Sequence, residues 1–194
     1  MKRAATIALV AIFALTGCTA NDGVAGAYGD GTNKGYVTGE GYTSYDADAR
    51  VDGADWESTT DTGEAISSDD FAGEVVVLNF WYAACAPCRT EAPLLESLST
   101  KYADKGVQFI GVNVRDQAES SANFAKKFGV SYPSVIDVDN GNVQFAFASS
   151  IPANATPTTL VIDKQGRVAA RISGELDGTS LLDTFISDAL AEDS

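Results

Sequence analysis

Three cysteines make up the whole sulfhydryl inventory of this 194-residue chain, and two of them stand close together in the segment Cys85-Ala86-Pro87-Cys88. That spacing suits reversible sulfur chemistry. The segment falls where an uninterrupted apolar run, Val75-Val76-Val77-Leu78-Asn79-Phe80-Trp81, gives way to a helical pattern, so Cys85 is expected at a helix N-terminus. Unpaired backbone N–H groups and the helix dipole stabilise a thiolate there, bringing its pKa roughly 1 to 5 units below the free value of about 8.5. A second cysteine one helical turn further on can attack the mixed disulfide formed by the first, releasing reduced substrate and leaving an internal disulfide. Pro87 helps fix that turn. The same residues also permit two plainer readings, half of a zinc site or a structural disulfide. No histidine and no second CxxC is present to complete a metal shell, which favours the redox use.

Such a pair must be delivered by a rigid strand and held by a helix. The run Val75 to Trp81, rich in β-branched and aromatic residues, has the composition of a central strand buried on both faces of a parallel or mixed sheet. Ala86 to Tyr102 carries Leu94, Leu95, Leu98 and Tyr102 at helical spacing. Upstream, Ala54-Asp55-Trp56 and then Thr62-Gly63-Glu64 with Ile66 suggest a short strand, a turn and a second strand. Downstream, Val107 to Val114 reads as a strand and Ala118 to Phe128 as a helix closed by Gly129. Thr158 to Asp163 and Val168 to Ile172 read as a hairpin around Lys164-Gln165-Gly166, and Thr179 to Leu190 as a final helix. Alternating helices and strands indicate an α/β fold.

The length suits one domain with appendages, and 45% hydrophobic with 21% charged residues is a packed globular composition. Acidic residues number 27 against 13 basic, giving a formal charge of -14. A surface with that balance lacks the basic field that holds phosphate backbones, so nucleic acid is excluded as a partner. The lack of histidine also removes every Ser-His and Cys-His nucleophile pair. Lys2 and Arg3 precede the apolar run Ala4 to Leu15. As a helix that run would rise only about 18 Å against a bilayer core of roughly 30 Å, so residues 1–17 read as an export signal. Leu15-Thr16-Gly17-Cys18 resembles the bacterial lipobox, which implies that Cys18 becomes the lipidated mature N-terminus. Acyl chains contribute about 0.8 kcal/mol per buried methylene, enough for several together to anchor the chain at a membrane surface. Export leaves Cys85 and Cys88 in a compartment where disulfides persist. Nine of the 18 glycines fall between Thr19 and Gly63, among Tyr28, Tyr36, Tyr42 and Tyr45. Residues 18–53 are therefore expected to be a flexible tether of roughly 30 to 35 Å root-mean-square span, with partner binding by the tyrosines as the alternative, and residues 54–194 the folded domain.

Around the cysteines the sequence resembles the thioredoxin-like disulfide oxidoreductases, and more narrowly their membrane-tethered TlpA/ResA-type redoxin branch, from about Ala54 to the C-terminus. Thr62-Gly63-Glu64 with Phe71-Ala72-Gly73 resembles the branch's lead-in, Asn79-Phe80-Trp81 precedes the redox motif at the usual distance, and Arg89-Thr90-Glu91-Ala92-Pro93 resembles the sequence after it. Ala155-Thr156-Pro157-Thr158-Thr159-Leu160 looks like the family's cis-proline segment. The residues alone leave Pro157 open between cis and an ordinary trans turn; the resemblance implies cis, with the Thr156 backbone left free to pair with an incoming chain.

The resemblance implies a thioredoxin fold: a central mixed β-sheet flanked by helices, an N-terminal extension, and an insertion around residues 117–152 that carries Tyr132-Pro133. It implies dithiol/disulfide exchange with no cofactor beyond the Cys85–Cys88 pair. Cys85 reacts first and Cys88 resolves, while Trp81, Ala86, Pro87, Thr156 and Pro157 line the contact groove. Glu91, on the helix a turn beyond Cys88, is by spacing alone an ordinary surface glutamate. The resemblance makes it the proton-handling group, since the position that carries an acid in thioredoxin itself is Asn79 here. Lys101 and Arg89 are expected to pair with nearby carboxylates. One departure concerns Ala84, which stands where the family usually has Trp immediately before the first cysteine and so alters the packing over Cys85. Asn154-Ala155-Thr156 fits a glycosylation sequon, read here as chance. The expected substrates are exported protein thiols such as apocytochrome c, with electrons drawn from a membrane thiol carrier, at the outer face of a bacterial cytoplasmic membrane and in a monomeric state. The alternatives are a disulfide-forming oxidant, a peroxiredoxin, or a non-catalytic surface binding module on the same fold.

Overall fold

A computed structural model describes residues 41–152 and 155–192 of the chain. Cys18, the signal segment 1–17, the tether up to residue 40 and Asn154 lie outside the described residues. Among those described, no helix is long and apolar enough to cross a membrane.

The run Val75 to Trp81 forms the strand β4, buried at every residue. Its composition explains this, because each side chain faces a core whichever way the pleat points it. Val75 and Val77 join Phe109, Val161 and Ile172 under the long helices, while Val76, Leu78 and Phe80 join Ile110, Val112 and Leu160 on the opposite face. Six strands make the sheet, in the order β1 (Gly41–Ser44), β8 (Val168–Ser173), β7 (Thr158–Ile162), β4, β5 (Val107–Asn113) and β6 (Ser134–Ile136). β5 runs parallel to β4 and to β6, whereas β7 runs antiparallel to β4 and to β8. The sheet is therefore mixed, as expected. A separate hairpin pairs β2 (Glu57–Thr59) with β3 (Ala65–Ser67) and leads into a 3-10 turn at Ser68–Phe71.

Helices α1 (Ala86–Tyr102) and α4 (Ser180–Ala191) place Leu95, Leu98, Leu182 and Ile186 on one face of the sheet. The other face is covered by Trp56 and by the short helix α3 (Asn142–Ala146) with Val143 and the following Phe147. Helix α2 (Ala118–Phe128) connects the parallel strands β5 and β6 and ends on Gly129 at φ 72, a left-handed conformation that glycine adopts without steric cost. The segment 117–152, expected as a helix/strand insertion, supplies this helix, the edge strand β6 and α3.

The boundary expected at residue 54 is corrected. Residues 41–44 are an edge strand in register with β8, Gly41 opposite Ser173 and Ser44 opposite Ala170. Behind it Tyr45 donates its N–H to the Ala169 carbonyl, and Arg50 is bonded to Asp163 and Glu192. The extended backbone satisfies donors and acceptors of β8 that would otherwise lie on an open edge. Residues 41–53, expected as tether, therefore include a strand of the sheet.

Candidate active site

β4 ends at Trp81, a short turn follows, and α1 begins at Ala86, so that Cys85 is the N-cap of α1. Its Sγ accepts a hydrogen bond from the Cys88 backbone N–H at 3.2 Å, one of the donors that a helix start leaves unpaired. Pro87 sits in the first turn, where its missing N–H costs no helical bond. Cys85 and Cys88 are joined as a disulfide. The register of β4 and β7 sets Phe80 opposite Thr158, which brings the cis Thr156–Pro157 peptide to the same end of the sheet as the disulfide.

Both sulfurs are enclosed, Cys85 at 0% and Cys88 at 2% exposure, in a cluster with Trp81, Tyr82, Ala92 and Phe124. The expected groove is therefore only partly formed from the expected residues. Ala86 is exposed, but Pro87, Thr156 and Pro157 are buried. Trp81, expected at the groove, is likewise buried, within the cluster around the disulfide. As the next odd-numbered residue of β4 after Val75, Val77 and Asn79 it lies on the face of the sheet that α1 and α4 cover, and its ring packs 4.2 Å from that of Phe124. Gly111 makes room for it, because a Cβ there would meet both Trp81 Nε1 and Ser134 Oγ. Ala84, where the family has Trp, is exposed.

Glu91 is not on the surface. It is 1% exposed, with Oε1 accepting from Asn79 Nδ2 at 2.8 Å and Oε2 from the Leu176 N–H at 3.1 Å. Asn79 also donates to Thr159 Oγ1 at 3.1 Å. Burial pushes the Glu91 carboxyl up to about 8; the bonds from Asn79 and Leu176, which favour the ionised form, only partly oppose it. A cavity of about 10 Å³ lies against Cys88, Asn79, Tyr132 and Ser134, room for a single water. Asn79 thus lines the same cavity as Cys88 and also bonds the Glu91 carboxylate. Lys101 pairs with Asp183 as expected, whereas Arg89 donates Nε to the Ala83 carbonyl at 2.7 Å rather than to a carboxylate.

A feature that the sequence reading missed lies beside Thr156. A cleft of about 500 Å³ runs between the C-terminal ends of β4 and β5 and the segment after α3, with Phe80, Val114, Arg115, Gln144 and Ile151 among its walls. The Arg115 guanidinium sits 4.2 Å over the Tyr82 ring. These residues come from three separate segments, and no local pattern joins them.

Comparison with known proteins places the architecture. The Redoxin family matches residues 48–186. The thiol-disulfide oxidoreductase ResA of Bacillus thuringiensis subsp. konkukian is 35% identical over 113 residues, 58% of this chain and 62% of that protein. ResA of Bacillus subtilis is 30% identical over 121 residues, 62% of this chain and 65% of that protein. The matched region therefore spans less than two thirds of either relative. Among solved structures, a secreted thiol-disulfide isomerase from Corynebacterium glutamicum superposes with a TM-score of 0.70 at 31% identity, covering 78% of this chain and 92% of that one. A DsbF homologue from Corynebacterium diphtheriae gives 0.66 at 30% identity, covering 76% and 92%.

Proposed function

The chain belongs to the Redoxin family, and on that premise we propose that it is an extracytoplasmic thiol-disulfide oxidoreductase whose Cys85–Cys88 pair reduces exported proteins, apocytochrome c among them. The observation that carries this reading is the disulfide at the N-terminus of α1, at the sheet end that also holds the cis Thr156–Pro157 peptide. In the reduced protein the Cys85 thiolate attacks one sulfur of a substrate disulfide, forming a mixed disulfide and expelling the substrate's other sulfur as a thiolate. Cys88, as thiolate, then attacks Cys85 Sγ. The Cys85–Cys88 bond forms, the mixed disulfide breaks, and two electrons have passed to the substrate.

Glu91, one helical turn beyond Cys88, takes the Cys88 proton in this scheme by way of water admitted when the site opens, since the Asn79 amide that donates to Glu91 cannot itself relay a proton, and returns it when the pair is reduced again by a membrane thiol carrier. Its raised pKa suits this, since a group that titrates near the working pH both accepts and releases a proton. The cleft by Thr156 receives the substrate segment next to its cysteine. Because both sulfurs are enclosed in the oxidised state, reduction requires the turn 82–85 or the segment around Thr156 to move aside. Cys18, outside the described residues, carries the lipid that holds the domain at the outer face of the bacterial cytoplasmic membrane.

The test is trapping. Cys88→Ser should accumulate a mixed disulfide between Cys85 and a protein substrate, and Cys85→Ser should accumulate none and lose insulin-reducing activity. A Cys85→Ser protein that keeps its biological role would instead mark a binding module, and peroxide turnover a peroxiredoxin. Loss of metabolic acyl labelling in Cys18→Ala tests the anchor separately.

A further inference from the structure

Beyond Trp81 the chain leaves the sheet, yet the turn that carries Cys85 is tied down on two sides. β4 and β5 end in register, Trp81 opposite Asn113, and the residues that follow each strand stay together through a second set of contacts. Val114 donates its N–H to the Trp81 carbonyl at 3.0 Å, the Arg115 guanidinium lies over the Tyr82 ring, and Asp116 Oδ2 accepts the Ala83 N–H at 2.6 Å. From α1, Arg89 Nε donates to the Ala83 carbonyl at 2.7 Å. Ala83 is thereby strapped at both its N–H and its C=O by residues from separate segments. The Cys85 N–H donates to the Tyr82 carbonyl at 3.1 Å, so the position of the turn is passed on to the sulfur.

The Asp116 carboxylate is itself held in aim. Asn113 is fully buried, and its Oδ1 accepts the Arg115 and Asp116 N–H groups at 3.1 and 2.8 Å while its Nδ2 donates to Asp116 Oδ2 at 3.1 Å. One buried carboxamide thus folds the 113–116 backbone into a side-chain-closed turn and points the half-buried acid at Ala83. A backbone N–H donating to a carboxylate fixed in this way is a charge-assisted bond, the stronger class.

We propose that Asp116 is the positioning residue of the redox turn: its carboxylate, aimed by Asn113, holds residues 82–85 closed over the Cys85–Cys88 bond, and release of Ala83 from it is the opening that admits a reductant. The part that moves is then the turn and not the segment around Thr156. This role rests on the redox reading above and can fail without it. The gated step balances with dithiothreitol as reductant. One of its thiolates attacks Cys85 Sγ and the bond to Cys88 breaks, Cys88 leaving as thiolate; the reagent's second thiolate then displaces Cys85, so the reagent is oxidised to its ring disulfide and the pair gains two electrons.

The rate of reduction of the full oxidised chain by dithiothreitol, set beside Ala83 amide hydrogen exchange by NMR, is the test. Asp116→Ala should speed both by about tenfold or more, the loss of one bond to a charged acceptor. Asp116→Asn keeps an acceptor oxygen and should stay within about threefold of wild type at high salt, which screens the missing charge. Amides of β4 and β7 should exchange no faster than the change in global stability requires, and dilute guanidinium should leave the wild-type reduction rate nearly flat, because a local opening exposes little surface. If Asp116→Ala fails to fold, Arg89→Ala, which cuts the other strap from an exposed position, should speed Ala83 exchange and reduction in the same direction. Asp116→Ala reduced no faster than wild type, Asp116→Asn reduced as fast as Asp116→Ala, or faster Ala83 exchange with unchanged reduction would overturn the proposal. A wild-type disulfide that dithiothreitol cannot open at all would overturn the redox reading as well.

Discussion

Replacing Glu91 with Gln removes one buried titratable group and little else, which makes it a sharp probe of the site's electrostatics. In the fold the carboxyl titrates near 8, against an ordinary value of 4.5, because burial outweighs the two hydrogen bonds it accepts. Between those values the native state holds a proton that the unfolded chain has released, so native stability falls as pH rises. Each pH unit contributes about 1.36 kcal/mol, at most about 5 kcal/mol in all, fully present below pH 4.5 and lost once pH passes 8. That is a large share of the roughly 5–15 kcal/mol that holds a domain together. Gln can satisfy either Asn79 or the Leu176 N–H with its single oxygen but not both, which adds a cost of about 1–3 kcal/mol that does not depend on pH. The signature is therefore the slope and not the offset. Guanidinium unfolding of the oxidised wild type and Glu91→Gln across this range should give a wild-type-minus-variant difference that declines steadily with pH. Other acids, such as Asp163, titrate alike in both proteins and cancel. A flat difference, or one that rises with pH, would refute the burial argument for Glu91.

Further outcomes follow from the same contacts. Asn79→Ala removes the Nδ2 donor to Glu91, so the pH midpoint of the Glu91 effect should move up by about one to two units in the same unfolding series. Trp81→Ala should cost about 3–5 kcal/mol of stability, as for a core aromatic, where a groove residue would have cost substrate affinity instead; urea unfolding set beside substrate KM separates the two. Arg50→Ala should cost about 1–3 kcal/mol in the same unfolding assay, because Asp163 at 1% side-chain exposure keeps only Arg167 as a cationic partner. A chain beginning at residue 54 should be less stable, and more prone to edge-to-edge association by light scattering, than one beginning at 41, since it uncovers β8.

The parts of the fold that could be read directly were those whose pattern is local. A β4 apolar but for Asn79, the leucines of α1, and the Gly166 turn between β7 and β8 each carry a signal within a few residues. Burial of Trp81 was also legible, since it ends a run with the composition of a strand buried on both faces, but the motif around it suggested a surface role. Edge strand β1 was not legible: Gly41-Tyr42-Thr43-Ser44 has no apolar period, and pairing with residues 170–173 makes it a strand. Nor could local composition foretell Arg50, whose partners Asp163 and Glu192 lie 113 and 142 residues away. β6 and α3 span only three and five residues, too short for periodicity. α3 is set instead by Asp137, which accepts from the Val143 and Gln144 N–H groups. Glu91 shows the same division, because its position could be inferred while its complete burial depended on Leu176 arriving from far along the chain.

The central claim is that the Cys85–Cys88 bond opens and closes reversibly as the redox unit of the molecule. Equilibration of the protein in graded mixtures of reduced and oxidised glutathione, quenched with an alkylating reagent and weighed by mass spectrometry, measures this directly. The account predicts a single two-electron transition confined to Cys85 and Cys88, with a potential near -250 mV or lower as befits a reductant. A potential toward the -120 mV of strong oxidants would reverse the proposed direction of electron flow, and a pair that stays fully oxidised under excess dithiothreitol would contradict the account itself.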